Sequence, residues 1–260
     1  MRGPEARPGR LDELGPAGFE EWRRGFVVRR GRADPAWRPA ELPVPLARSL
    51  ARFQLGEGSD GAGLIGAAVA AGDGDYLAAA RLFVAEEQDH ARLLGRLLAA
   101  AGRPTVAAHW SDSVFRLLRR RAGVSRELMV LMVAEVCALR YYRAVRDGAA
   151  DPLAREVAAR VLADEEQHVP FHVQRLRVNL AARPAAVRAG LAAVWWMLFL
   201  PSAAAVAADH GAALRLLDVR PTRFLADAVA LFRPVVTAVL GPAAGPAPGV
   251  RRRWRRGSAR

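Results

Sequence analysis

The chain has 260 residues rich in alanine, leucine and arginine, no lysine, and a formal net charge of +13. That length can bury one substantial core, and its single cysteine excludes an internal disulfide framework and a multi-cysteine metal site. Nucleic-acid binding by the core is not expected: residues 1–40 hold nine Arg against six acids, residues 241–260 hold six Arg and no acid, and residues 41–240 carry only +4.

Strand-type alternation is scarce, so the predicted class is all-α. Residues 1–42 read as an Arg/Pro-rich N-terminal extension with a short helix at Gly18–Val28. No apolar run follows its first arginines, so a secretory signal is not expected and a cytoplasmic location is. A helical domain spans 43–240. Its first helix is expected to start near Val44 and run past Glu57, where Gly56, Gly58, Gly61, Gly63 and Gly66 would open or bulge it. The second starts near Asp75 as N-cap and stops at Gly102-Arg103-Pro104. A crossover helix over Ser111–Arg121 leads to the third, Ser125–Asp147. Asp151 and Pro152 start the fourth, with a kink expected at Pro170.

Beyond these, Ala189–Ala208 is a 20-residue stretch without charge, long enough to span a membrane. It is alanine-rich and divided by Pro201. It therefore reads as two helices packed on the domain or at a homodimer interface, with Trp195, Trp196, Met197 and Phe199 available to wall an apolar channel. Asp209-His210 reads as a cap. Residues 241–260, with Arg251–Arg256 around Trp254, read as a disordered basic tail. The sharper alternative for that tail is adhesion to an anionic membrane or partner.

One pattern occurs twice. Glu57 is followed after 29 residues by Glu87, with His90 three further on, and Glu135 is followed after 29 residues by Glu165, with His168 three further on. Residues i and i+3 share a helix face, so each Glu-x2-His can present a carboxylate and an imidazole to one point. All six lie on apolar stripes: Leu46, Leu50, Phe53, Glu57; Phe83, Glu87, His90, Leu94; Leu128, Met132, Glu135, Leu139; Val161, Glu165, His168, His172. A charged side chain on a core-facing stripe is costly without a partner. Two such pairs plus two lone carboxylates, spread over four helices, are the ligand set of a dinuclear iron or manganese site. Four carboxylates would balance two divalent ions, and surface ion pairing is the bland alternative.

An acid precedes each Glu of the Glu-x2-His pairs: Glu86 and Asp164. Metal-bound His usually donates its other ring N–H to a carboxylate, so Asp164 is expected to hold His90 and Glu86 to hold His168, crosswise. Glu166 is placed on the outer face. His172 is expected behind the ligands or in a substrate pocket. Tyr142 is expected as a core aromatic with its hydroxyl bonded, and Cys137 as a small core hydrophobe.

The residues Glu57, Glu87-Gln88-Asp89-His90, Glu135 and Asp164-Glu165-Glu166-Gln167-His168 resemble the ferritin-like di-iron carboxylate superfamily. The resemblance covers roughly residues 44–180. It implies a four-helix bundle, here with additional C-terminal helices, and O2 activation at two irons, with manganese as the alternative metal. The Asp-Glu-x-x-His form resembles the oxygenase, desaturase and reductase branches. The expected function is therefore hydroxylation, desaturation or N-oxygenation of a small organic or lipid-like substrate, using O2 and an electron donor. Iron oxidation or peroxide removal as in ferritins and rubrerythrins, a di-manganese catalase, and a non-catalytic interaction module are the alternatives.

Overall fold

The computed structural model describes residues 18–110 and 123–241. The helix expected at Ser111–Arg121 and the tail beyond Gly241 lie outside them. Every regular element among the described residues is an α-helix.

Four helices carry the Glu/His pattern. α2 (Val44–Glu57) packs along α4 (Gly74–Ala100), α5 (Val124–Gly148) packs along α6 (Pro152–Leu180), and α4 meets α6. The three-residue link between α5 and α6 makes them antiparallel neighbours. α5 is buried nearly all round from Glu127 to Val145, so it forms the centre of the domain. α6 starts where Asp151 accepts from the Ala154 amide, with Pro152 in the first turn, and passes Pro170 as one helix. α4 is capped by Asp73, two residues before the expected Asp75. The Asp73 carboxylate accepts from the Tyr76 amide and from buried Arg175, and this long-range contact selects it over Asp75.

α2 does not run past Glu57. It ends on that residue, and α3 (Ala62–Ala70) begins four residues later and packs on α4 and α5. At Gly61 the backbone is left-handed (φ 65°), and a β-carbon there would overlap the Val84 side chain. Gly61→Ala is therefore expected to cost about 2–4 kcal/mol, from backbone strain plus overlap. Gly66→Ala, in the interior of α3 with open space around it, should gain up to about 1 kcal/mol. Urea denaturation of the two variants checks both signs.

The C-terminal part forms a second layer. α7 (Ala185–Asp209) is one continuous helix, correcting the division expected at Pro201. Its packed side, Trp195, Phe199, Ala203 and Ala207, runs straight across the proline, and Ser202 Oγ donates to the Leu198 carbonyl at 2.8 Å beside it. Tertiary packing thus outweighs the lost backbone bond. A short helix α8 (Gly211–Leu216) leads to α9 (Pro221–Leu240), which packs against α5, α6 and α7. Trp195 and Phe199 meet Phe232 of α9, with Phe199 stacked on it at 3.9 Å, while Met197 is exposed. None of these side chains lines the cavity beside Glu57 and Glu87.

α1 (Phe19–Arg30) lies on α4, burying Phe19 and Phe26 against Tyr76 and Phe171. Residues 31–43 tie it down: Ala40 N–H donates to Ala100 O, Glu41 N–H to Asp151, and Arg103 to Leu42 O.

Candidate metal centre

The last residue of α2, the middle of α4, the middle of α5 and the middle of α6 converge. Glu57, Glu87, His90 and Glu165 can bring one ligand atom each within 4.8 Å of one another, and so can Glu87, Glu135, Glu165 and His168. Glu87 and Glu165 belong to both groups. Each group holds three carboxylates and one imidazole, so this buried cluster could hold metal.

The ring orientations are specific. His168 Nδ1 faces inward, 3.1 Å from Glu87 and 3.5 Å from both Glu135 and Glu165. His90 Nδ1 faces inward, 3.3 Å from Glu165 and 3.5 Å from Glu87. The outer nitrogens face the acids that precede the motif glutamates. His168 Nε2 is 2.9 Å from Glu86 Oε2, and His90 Nε2 is 3.6 Å from Asp164 Oδ2. The pairing is crosswise between α4 and α6, with the tighter contact at Glu86.

The cluster fits a cation by the atoms it leaves unbonded. Both inward Nδ1 atoms, Glu87 Oε1, Glu135 Oε2 and both oxygens of Glu165 are buried without a hydrogen bond. Buried polar atoms are ordinarily bonded, and a set of lone-pair donors aimed at each other is what a metal ion satisfies.

Protonation follows the same logic. Burial, and then repulsion from Glu87 and Glu165, pushes Glu57 and Glu135 well above the ordinary carboxylate range. Burial also opposes ionisation of Glu87 and Glu165, but the facing imidazoles hold both below that range. Burial disfavours charge on His90 and His168, and the surrounding carboxylates outweigh it, raising both. Protons therefore balance the cluster where cations otherwise would, and metal uptake must expel them.

Neighbours complete the arrangement. Tyr142 donates from its hydroxyl to Glu57 Oε1 at 2.7 Å. His172 is buried with Nε2 3.8 Å from Glu135 and its ring edge-on to Phe83 at 4.6 Å. Glu166 faces outward and pairs with Arg143 at 3.0 Å.

A partly open cavity of about 400 Å³ reaches Glu57, Glu87, Glu135 and Glu165. Phe53, Leu64, Phe83, Val84, Leu131 and Val206 supply much of its wall. Gly56, Trp110 and Pro201 line it and are exposed, marking its mouth. The break after α2 borders the opening through Ser59 and Gly61. Cys137 is buried and also lines the cavity, and burial pushes its thiol up to about 12.

Sequence reasoning missed two groups. Arg29 of α1 grips Glu86 with Nε and Nη2 at 3.0 and 2.9 Å and lies 3.4 Å from Asp164. Arg32 donates to Asp164 at 2.8 Å and Arg160 at 3.2 Å. The carboxylates behind both imidazoles are thus charge-balanced by arginines, two of them from the N-terminal extension. Nothing in the sequence separates these arginines from the other 36.

The second group is a buried network on the cavity wall. Ser49 Oγ lies 2.6 Å from Tyr141 Oη and 2.7 Å from His210 Nδ1, and Phe53 stacks on Tyr141 at 3.9 Å. His210 caps the end of α7 and the start of α8 through its backbone, as expected at this position, while its side chain lines the cavity and Asp209 pairs with Arg52 at 2.8 Å. Burial lowers His210 to about 4.

An unfolded His titrates near 6.5. Below that, the unfolded chain takes a proton that folded His210 refuses, so stability falls as pH falls from about 6.5 toward 4. Between about pH 7 and 5 this contributes about 2 kcal/mol of loss. His210→Gln should flatten that part of the curve. Urea denaturation of both proteins at both pH values isolates it, because carboxylate contributions cancel in the difference.

No family model matches the chain, and no curated protein matches it.

Proposed function

We propose that this protein is a ferritin-like di-iron oxidoreductase that activates O2 to oxidise an apolar organic substrate. The observation that carries the reading is the pair of buried four-residue groups sharing Glu87 and Glu165 beside an apolar cavity. In this reading Glu57, Glu87, His90, Glu135, Glu165 and His168 would hold the metal, and Glu87 and Glu165 belong to both groups. Bound iron supplies the reduction of O2, with electrons drawn from the substrate and from an external donor.

The chain's own part is positioning and exclusion of water. Glu86 holds His168 Nε2 by a hydrogen bond, which fixes that ring, and Asp164 faces His90 Nε2 at 3.6 Å. Tyr142 steers Glu57 by holding one of its oxygens. The apolar walls accept a water-poor substrate and keep its reacting carbon or nitrogen against the carboxylate cluster. Oxygen and imidazole donors also suit manganese, so the metal is part of the test.

The test is anaerobic loading with ferrous or manganous ion, metal analysis, and rapid mixing with O2 followed by absorption. About two irons per chain are expected, with a transient visible band that decays faster when an apolar substrate is present. Failure to retain either metal would sink the reading and leave a non-catalytic bundle. Manganese retention with peroxide dismutation would indicate a catalase. A large hollow assembly in size-exclusion would indicate iron storage.

A further inference from the structure

α7 has two unlike sides. Trp195, Phe199, Ala203 and Ala207 are buried against the domain. On the other side Gly190, Val194, Met197, Leu200, Pro201 and Ala204 are exposed, with Val194 at 54%, Met197 at 66% and Leu200 at 44%. No charged residue occurs from Ala189 to Ala208. The helix is long and apolar enough to cross a membrane by length and composition, yet it lies along the domain, packed against α9. An uncharged exposed strip of this kind calls for an occupant.

The charge around the strip selects one. α9, packed beside it, exposes Arg223 and Arg233, and its single acid, Asp227, is paired with Arg140 and Arg223. At the end of α9 the Gly241 carbonyl accepts from Arg188, one residue before the charge-free stretch begins. The sequence continues for 19 residues beyond Gly241. They contain six Arg, five of them flanking Trp254, and no acid. A second copy fits less well. Twenty helical residues offer a strip roughly 30 Å by 10 Å, about 300 Å² against the roughly 800 Å² per partner of a stable interface.

We propose that the exposed side of α7 and the Arg-rich segment after Gly241 dock this protein side-on against an anionic lipid surface. The apolar strip enters the headgroup boundary, and the arginines bind the anionic headgroups. Pro201, at the mouth of the cavity, lies on the docked side, so an apolar molecule dissolved in the lipid reaches the cavity without crossing water. The docking does not depend on the metal reading, and the two fail separately.

The test is flotation of the full chain with vesicles of equimolar phosphatidylglycerol and phosphatidylcholine, against phosphatidylcholine alone. Binding to the anionic vesicles is expected, at least ~10-fold weaker at about 1 M salt than at about 0.1 M. The double variant Val194→Glu/Met197→Glu, with the tail intact, should bind at least ~10-fold more weakly. Leu200→Glu, also at an exposed position, is the second variant if the first fails to fold by circular dichroism. Deleting residues 242–260 should weaken binding ~100-fold or more. No flotation overturns the proposal. Equal flotation of the α7 variants and the parent also overturns it, because the tail would then act as a bare polycation. A dimer in light scattering that the α7 variants split, without vesicle binding, assigns the strip to a second copy instead.

Discussion

Glu165→Gln is expected to abolish uptake of both metal ions, whereas Glu57→Gln and Glu135→Gln should each leave one ion bound. Glu165 belongs to both ligand groups, Glu57 to one and Glu135 to the other. An amide of nearly the same volume keeps the packing but removes the charge that each ion needs. The fold should survive, because His90 and His168, which face Glu165, can shed a proton to restore the balance of charge. Metal content after desalting, read beside circular dichroism, checks the contrast. Equal losses in Glu57→Gln and Glu165→Gln would mean that no carboxylate is shared.

The same cluster sets a pH dependence of definite sign. Glu57 and His90 hold protons in one group, Glu135 and His168 in the other, because their affinities for protons are raised. Metal ions would displace protons from these groups, so metal affinity should fall as the pH is lowered. A proton-release measurement on metal addition gives the count directly.

Arg29→Met is expected to destabilise the protein by about 3–5 kcal/mol. Arg29 is 8% exposed and holds Glu86 in a two-bond grip. Its removal strands a buried carboxylate rather than merely losing an attraction. Arg29→Lys should recover only part, since a point charge lacks the planar fork. The double variant Arg29→Met/Glu86→Gln should be less damaged than Arg29→Met alone, and this non-additivity identifies the pair as the cause. Arg23→Met, which loses only an exposed pair with Glu20, should leave stability unchanged. Urea denaturation of the set decides it. Additive losses would mean that Arg29 acts through packing on Phe26, over whose ring it lies at 4.6 Å.

The arginine grip shows what one-dimensional reading cannot reach. Arg29 and Glu86 are 57 residues apart, and Arg32 and Asp164 are 132 apart. Helical periodicity relates residues three and four apart, so it placed the six Glu and His residues on apolar stripes but carried no information on which arginine would meet which acid. Ser49 and His210, 161 residues apart, were illegible for the same reason. The end of α2 at Glu57 was half legible: the glycines marked a weak stretch, while the left-handed turn at Gly61 from which α3 starts shows only in the structure.

The sequence alone determined the helical class, the Asp151-Pro152 helix start, and two Glu-x2-His pairs whose spacing is a property of a single helix. Those are local matters, settled by backbone sterics, caps and the 3.6-residue period. The tertiary structure decided that Glu87 and Glu165 lie in both groups, that Arg29 and Arg32 balance the charge behind both imidazoles, and that α7 passes Pro201 unbroken. These depend on long-range packing, where burial sets the cost of leaving a charge or a backbone group without a partner. That cost appears only once the helices are assembled.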